Sequence, residues 1–584
     1  MPGIQISTAV RTGPTNATLR ESSQAFFVGK ASRGPVDEAL LVTSLEDFEL
    51  KYGGFVNGYY LHPTVESFFE EGGTQCYVTR VELSDALPAS VAVPNSAPTT
   101  VITLTANGPG TWANSAATGL SFTVSAGSIT GARSLALFLA GDLIMTTGSC
   151  TTTLQMVGKI NTHPVASLYV TAVEEATAGT AAAGTMPAIN ATPTPFTAGA
   201  AGTGSIQNSQ YETALTYFLE SYGAGIVSIP EVPSTSLDTT SRTISGVTHA
   251  TSTNLTTYTT SADHGFAAGD EITVAGVTTA LTGEMVIATV PTTTTFTVSR
   301  VYATNGAAAD QTGTAVYTYP LDAVTLDLIA HANSHSRVVA LHGASNDTTT
   351  EIKALAQVVQ AQDNAEHIAV YYPWVYAPTG TVGANRPIPP SGYVAGARSR
   401  AHNQVGPHQP GAGIISDARF INGVVASIDK TAGDALDADC VNAIRVINNR
   451  IRIYGARSCS ADTANFRYLN AQEVVNYVVV QANRSLEDVL FSLIDGRGGM
   501  FASIEAHLVA VMEPLRTLGA LYEAFDVNGR RIDFGYTVKC NESLNPLSQL
   551  VNGTVTARVG LRVSSVGDSI QVEIIKSNLT ASVV

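Results

Sequence analysis

RVVALHGASNDTTTEIKALAQVVQAQDNAEHIAVYYPWV, residues 337–375, holds two apolar runs of strand length on either side of one segment with helical spacing. The runs RVVALHG and HIAVYYPWV are continuous rather than alternating, so both faces of each strand need covering. Between them, TTEIKALAQVVQAQ has the spacing of a helix that can lie across such strands. Strands alternating with helices in this way predict a mostly parallel sheet covered on both faces.

Working outward, the same texture recurs. Strand-length apolar runs begin at residues 24 (QAFFVGKA), 75 (QCYVTRVEL) and 225 (GIVSIP). Helices are expected in SLEDFELKYGG, where Ser44 is the N-cap, Asp47 stands three residues on and Gly53 ends the turn. In HPTVESFFEEGG, Pro63 opens a helix, Val65, Phe68 and Phe69 form its apolar stripe and Gly72 closes it. YETALTYFLESYG and LDAVTLDLIAHANSH supply two more. The fold class expected is a multidomain α/β protein, its central, mostly parallel sheet assembled from residues 23–86, 197–236 and 320–439.

Two stretches interrupt this pattern, 87–196 and 237–319, both rich in Thr, Ala, Ser, Gly and Pro. Arg133, Lys159 and Arg242 are the only basic residues between Val81 and Ser299. HGFAAGDEITVAGVTTALTGEMVIATVPTTTTFTVSRV, from residue 264, reads as short strands parted by turn residues, the pattern of a small antiparallel sandwich or barrel. Both stretches are expected to be all-β modules inserted into loops of the central domain. From residue 440 to 565 the texture becomes α+β. There Asn470 with Glu473 resembles a capping box, Ile504, Leu508, Met512, Leu515 and Leu518 share a stripe, and Pro514 is expected to kink or split that helix. In GTVTARVGLRVSS, Val555, Ala557, Val559, Leu561 and Val563 alternate onto one face.

The composition excludes several function classes. Only 13% of the 584 residues are charged and the formal net charge is -16, which opposes a broad basic face for nucleic acid or anionic lipid. The opening MPGIQISTAVRTGP lacks the pattern of a secretory signal, and no run approaches the roughly 20 apolar residues of a membrane span. The five cysteines, Cys76, Cys150, Cys440, Cys459 and Cys540, are scattered and never paired as CxxC, which fits reduced thiols and neither a disulfide framework nor a zinc site.

Catalytic motifs are weak. His331 and His335 in HANSH lack the glutamate that a zinc protease needs after its first histidine, Ala332 standing there. His402 and His408 flank turn residues without an adjacent carboxylate, and GRGGM at 496–500 lacks the Lys and Ser/Thr of a phosphate loop. No nucleophile elbow or triad can be nominated, and no cofactor or metal is expected. The alternative to a structural protein is an α/β hydrolase or transferase with carbohydrate-binding β modules.

The chain ends are more telling. GIQISTAV places Ile4, Ile6 and Val10 in alternation, followed by the polar RTGPTNATLRESS, and GDSIQVEIIKS alternates Ile570, Val572 and Ile574 after SSVGD. Residues 1–22 and 566–584 read as strand arms on hinges, able either to complete their own sheet or to add to another subunit's.

Several segments together resemble one family. They are FFVGKASRGPVDEALLVTSLEDFELKYGG, LHPTVESFFEEGGTQCYVTRV, GPGTWAN at 108–114, YYPWV at 371–375, IPPSGYVAG at 388–396, INNRIRIYGARSCSADTANFRYLNAQEV at 447–474, GALYEA at 519–524 and NPLSQLVNGTV at 545–555. In this order they resemble the contractile tail sheath proteins of bacteriophages, related to the sheaths of R-type pyocins and contractile injection systems. The resemblance covers nearly everything except the second insert. It implies a homo-oligomer of hexameric rings stacked helically around a tail tube protein, with baseplate and tail terminator proteins as further partners. It also implies a place in the virion tail after assembly in the host cytoplasm, with no nucleic acid bound and no membrane insertion. The inserts would point outward and residues 440–565 inward, the arms being exchanged between subunits. Arg450, Arg452 and Arg457, crowded with Arg467 in a chain otherwise acidic, are then candidates for charged contacts of the inner domain, with pairing inside the domain as the plainer reading.

Overall fold

In the computed structural model, residues 22–175, 186–236, 240–318, 321–379 and 384–568 are described. An eight-stranded sheet organises the chain. Its strands are β1 (Gln24–Gly29), β2 (Leu40–Val42), β3 (Cys76–Arg80), β4 (Gly225–Ser228), β5 (Val338–His342), β6 (Ile368–Tyr372), β7 (Val441–Ile447) and β8 (Arg450–Tyr454). Their spatial order is β2-β3-β1-β4-β5-β6-β7-β8. The six inner strands run parallel, and one antiparallel strand closes each end. Every residue of β1, β5 and β6 is buried, as their continuous apolar character requires.

Helices cover both faces. On one side lie α1 (Leu45–Tyr52), α2 (Leu61–Glu70) and α6 (Ser391–Gln404), packed on Phe27, Val78, Ala340 and Ala369. On the other, α3 (Asn208–Thr216), α4 (Ala323–Ser334), α5 (Thr349–Gln360) and α7 (Lys430–Ala438) pack on Phe26, Val227, Val339 and Val370. Local signals behave as read. Ser44 Oγ accepts from the Asp47 N–H at 3.1 Å, and Gly53 ends α1 at φ +84°. Helix α6 is unexpected. It is buried through His402 although it carries Arg398, Arg400 and His402. It lies close on α2 because Gly392 and Gly396 face it. A Cβ at Gly392 would meet the Thr64 carbonyl O at 2.3 Å, and one at Gly396 the Glu71 Cβ at 2.6 Å.

The first Thr-rich stretch forms a three-stranded sheet (Ser90–Pro94, Thr100–Ala106, Val170–Glu174) and a four-stranded one (Leu120–Ala126, Arg133–Leu139, Asp142–Thr146, Asn190–Pro195). It is not all-β. The helix Thr153–Asn161, capped by Thr152, buries Met156, Val157 and Ile160 between the strands. Arg80, at the end of β3, roots this unit by donating to the carbonyl oxygens of Ala31 (3.1 Å), Gly34 (2.8 Å) and Pro109 (3.1 Å). The second stretch closes into an antiparallel barrel. Its strands run in the order Leu255–Thr260, Thr295–Ser299, Gly283–Thr292, Glu271–Ala275, Gly313–Tyr317, Arg242–Ala250, and the last pairs back to the first.

Residues 441–454, expected in the C-terminal unit, instead form β7 and β8 of the large sheet, joined by a tight turn with Asn448 and Asn449 in left-handed conformation. The C-terminal unit proper consists of α8 (Leu469–Leu486), α9 (Gly499–Thr517) and a hairpin of Tyr536–Lys539 with Arg558–Leu561. Pro514 does not split α9, which runs through it and ends three residues later. Along α9, Ile504, Leu508, Met512 and Leu515 are buried as expected, while Leu518, just past its end, is 39% exposed. Val555, Ala557, Val559, Leu561 and Val563 all face the C-terminal core. Asn470 and Glu473 form no capping box. Asn470 donates to the His408 carbonyl O at 2.9 Å, and Glu473 is buried against α6.

Candidate assembly surface

An enzyme of this architecture would bind its ligand at the switch point, outside the carboxyl ends of β1 and β4, where the strand order reverses. Here that crevice is occupied from within. Glu231 Oε1 accepts from the backbone N–H groups of Lys30 (3.2 Å), Tyr60 (2.8 Å) and Leu61 (3.1 Å), so a carboxylate of the chain fills the anion position at the start of α2. Burial raises its pKa against the pull of those three donors. A Cβ on Gly29 would stand 3.0 Å from Leu61 Cβ and 3.1 Å from Glu231 Cγ.

The histidines are structural. His331 Nε2 accepts from the Arg337 guanidinium at 2.7 Å, and burial with that cation lowers its pKa to about 3. Arg337 also donates to the carbonyls of Gly223, Phe218 and Leu219 and lies 3.8 Å from the centre of the Phe26 ring. His402 does have a carboxylate neighbour, contrary to expectation. Its Nε2 is 3.2 Å from Glu473 Oε2 and its Nδ1 is 3.2 Å from the Ser22 carbonyl O. Glu473 also accepts from Arg398 Nε. The crevice beside this cluster, lined by Tyr371, Val394, Arg398, Leu469 and Glu473, holds about 20 Å³, room for one water. Among the described residues no group of His, Cys, Asp or Glu is placed to hold a metal, and no helix is long and apolar enough to cross a membrane.

The clustered arginines separate into distinct roles. Arg452 pairs in two-pronged fashion with Asp417, its Nη2 at 3.2 Å from Oδ2. Arg457 holds Asp437 at 2.8 and 2.6 Å. These side chains thus serve the interior of their own subunit. Arg450 is exposed and makes no ion pair among the described residues. Arg457 reaches further, to Asp568 Oδ2 at 3.4 Å, where Arg467 (3.7 Å) and the Tyr468 hydroxyl (2.5 Å) converge. Asp568 is the last described residue. Ile4, Ile6, Val10, Ile570, Val572 and Ile574 lie outside the described residues.

Strand edges decide what a sheet can bind. At one end of the large sheet, β2 has only three residues, and Lys51 Nζ donates to the Leu41 carbonyl O at 2.6 Å. At the other end the segment Gly413–Ser416 with Asp417 and Ala418 covers β8. The Ile453 N–H donates to Ser416 Oγ (3.0 Å), the Ala418 N–H donates to the Ile451 carbonyl O (3.0 Å), and Arg452 pins Asp417.

The C-terminal hairpin has no such cover. Among the described residues, Tyr536–Lys539 and Arg558–Leu561 have only each other as strand partners. Tyr536, Val538, Val559 and Leu561 pack on the core but stay half-buried, and Thr537, Lys539, Arg558 and Gly560 face out. Around this unit large apolar side chains are exposed, Phe491 and Val527 fully and Leu493, Leu547 and Val551 at 80% or more. Phe491 sits at φ +62°, in left-handed backbone that bulky residues seldom adopt. Sequence reasoning missed Lys539 and Arg558, because only the hairpin register brings them opposite each other.

No protein-family model and no curated protein matches the sequence. Solved structures do. The sheath tail protein from Listeria innocua superposes with a TM-score of 0.51 at 10% identity, over 89% of this chain and 89% of its own. The helical sheath of the anti-feeding prophage in its contracted state matches over 99% of both chains, at 10% identity and a TM-score of 0.49. A chain of the anti-feeding prophage baseplate matches at 15% identity with a TM-score of 0.36, over 44% of this chain and 65% of its own length. The Listeria superposition covers 89% of this chain, and on that measure this chain has the fold of a tail sheath protein.

Proposed function

We propose that the protein is a structural, non-catalytic subunit of a contractile tail sheath. It polymerises in hexameric rings around a tail tube, meets baseplate and terminator proteins at the ends, and contracts to drive the tube through a host envelope. Its discontinuous α/β domain (23–86, 197–236 and 320–454) carries the two inserts outward, and the C-terminal unit faces the tube. The strand arms, 1–22 and 566–584, link each copy to others.

The observation that carries this reading is the hairpin Tyr536–Lys539 with Arg558–Leu561, two strands with a half-buried apolar face. That face packs on α9 and is still only half covered, so an added strand would bury more of it. A strand supplied by another copy makes a heterologous contact, and repeating it builds a polymer rather than a closed pair. Contraction is then a change between two packings of rings that stay laced together, without nucleotide hydrolysis. The internal carboxylate at the switch point speaks against the hydrolase or transferase alternative.

Negative-stain imaging of purified protein tests the proposal: long hollow cylinders are expected, and monomers or small closed rings alone would overturn it. Removing residues 569–584 should abolish the cylinders while leaving the subunit folded; a truncated chain that polymerises as readily as the parent removes the arm from the mechanism.

A further inference from the structure

One buried guanidinium is short of acceptors. Arg398, on α6, is 5% exposed, yet of its three nitrogens only Nε has an acceptor, the carboxylate of Glu473. Nη1 is fully buried without a partner, and no acceptor for Nη2 stands among the described residues. The other deeply buried arginines of the large domain differ. Arg80, Arg337 and Arg400 each donate through all three nitrogens. Buried polar groups are normally paired, so the deficit at Arg398 marks a missing acceptor.

The crevice that Arg398 lines is rich in donors. Helix α8 begins there, with Leu469 and Asn470 in the lining and no side chain capping its start. The first turn of a helix presents unpaired N–H groups and the positive end of its dipole. Here the Leu469 N–H is taken by the Ala456 carbonyl O at 3.0 Å, which leaves that of Asn470 for a ligand. Tyr371 lines the crevice too, and its hydroxyl has no hydrogen-bond partner among the described residues.

We propose that this crevice is a seat for a monoatomic anion of chloride size, held by Arg398, the start of α8 and the Tyr371 hydroxyl. Its volume of about 20 Å³ excludes phosphate and sulfate. Glu473 is the opposing group in the lining, and its charge is offset by Arg398 Nε on one oxygen and by His402 Nε2, 3.2 Å away, on the other. A water would bring two hydrogens of its own into a site made mostly of donors, whereas a halide only accepts. The ion would bridge α6 of the sheet domain and α8 of the C-terminal unit, and so tie these two regions together.

Melting of the full chain at constant ionic strength tests this, with sodium chloride replacing sodium gluconate, whose anion is too large for the crevice. Chloride at about 0.3 M should raise the melting temperature by about 2 °C and the gain should saturate, as binding to the native state alone requires. Tyr371→Phe removes a hydroxyl that has no partner in the protein. It should melt like the parent in gluconate and need about five times more chloride for the same gain. Arg398→Lys should abolish the gain. In crystals soaked in bromide, an anomalous peak should stand at hydrogen-bond distance from an Arg398 Nη. A gain that does not saturate, or that Tyr371→Phe leaves unchanged, is a general salt effect and overturns the proposal. So does a bromide soak that leaves only water in the crevice.

Discussion

The large sheet and the C-terminal hairpin are built from similar apolar residues and differ in what becomes of their edges. In the sheet, one edge strand is three residues long and has a lysine on its backbone, and the other is roofed by Gly413–Ser416 and its Asp417–Arg452 pair. In the hairpin the strands Tyr536–Lys539 and Arg558–Leu561 have no further strand partner among the described residues, only their extension at Val563 being bridged to Leu521, and bulky apolar side chains stand in solvent nearby. Edge-strand protection is a device against unwanted pairing. On the proposed reading, protection on one sheet and not on the other, within one chain, is what would direct pairing between copies to the hairpin. The clustered arginines fall on the protected side, which is why Arg452 and Arg457 turn inward to aspartates of their own subunit.

The sharpest way to break the contrast is to remove what holds the roof. Glu71 is fully buried and accepts from the backbone N–H groups of Arg419 (3.0 Å), Phe420 (2.9 Å) and Ile421 (3.1 Å), with Arg400 3.5 Å away. Glu71→Ala leaves three backbone donors without their acceptor and the buried Arg400 guanidinium with carbonyl acceptors but no carboxylate, and should cost about 3–5 kcal/mol of stability. Glu505→Ala in the C-terminal unit removes one acceptor, that of Cys540 N–H, and should cost about 1 kcal/mol. Denaturant titration of both variants measures the difference; equal losses would mean that the roof is not held by Glu71.

How much of this was legible depends on whether a residue's partner lies nearby in sequence. Continuous runs such as IAVYY announce buried parallel strands by themselves, and Ser44 and Gly53 cap α1 through neighbours three or four residues away. The alternation from Val555 to Val563 likewise needs only the pleat. Helix α6 is not visible in the sequence because SGYVAGARSRAHNQ is too polar to read as a core helix; its charges are neutralised by Glu473 and Glu71, which lie 75 and 329 residues away. Glu473 looks like a cap for the same reason. That β7 and β8 belong to the large sheet is decided by pairing with β6, and the apposition of Lys539 with Arg558 by a hairpin whose connection spans a helix.

Acid should act on the seam between the two regions, since Glu473 ties α8 to α6. Burial alone would raise its pKa, but Arg398 and His402 hold it down to about 2. A carboxyl depressed on folding stabilises the native state above its ordinary value near 4.5, and that contribution is lost as the pH falls from there toward 2. His402, whose pKa is lowered by burial and by Arg398, pulls the same way, because the unfolded chain takes up its proton first. Stability should therefore decline below about pH 6 and lose on the order of 2 kcal/mol between pH 4.5 and 3. Glu473→Gln should lower the melting temperature at neutral pH and flatten the acid limb; an unchanged limb would assign the acid sensitivity to other carboxylates.

A gentler change opens the roof without unseating it. Ser416→Ala removes the acceptor of the Ile453 N–H, and Asp417→Asn weakens the tie to Arg452. Ser416→Ala should cost about 1 kcal/mol, because a buried N–H loses its acceptor, and Asp417→Asn less, its pair being partly exposed. Amide exchange at Ile453 should rise about tenfold, the local signature of an uncovered edge. If Ile453 exchanges at the parental rate in both variants, the edge is protected by something other than this segment.

The smallest effect is expected from the largest excision. The barrel leaves the main domain where Ser236 bridges Leu321, and the Thr235 N–H donates to Asp322 Oδ2 at 2.8 Å. Paired strands stand about 5 Å apart, so a two-residue glycine turn can replace residues 238–319. Deletion should leave the melting temperature within a few degrees and polymer formation intact, since neither the roofed sheet nor the open hairpin draws on the barrel. One residue even predicts a slight gain. Burial and the carboxylates Glu212, Asp322 and Glu271 raise Asp327 to about 6, and Glu271 belongs to the barrel. An acid whose pKa is raised on folding destabilises the native state at neutral pH, and the penalty disappears as the pH falls from about 6 toward 4. Removing Glu271 with the barrel relieves part of it, so the shortened chain should lose less stability than its parent as the pH rises from about 5 to 7. A subunit that cannot fold or polymerise without the barrel would instead make the barrel a third assembly region, and the contrast between one closed and one open sheet would no longer be enough to explain where copies meet.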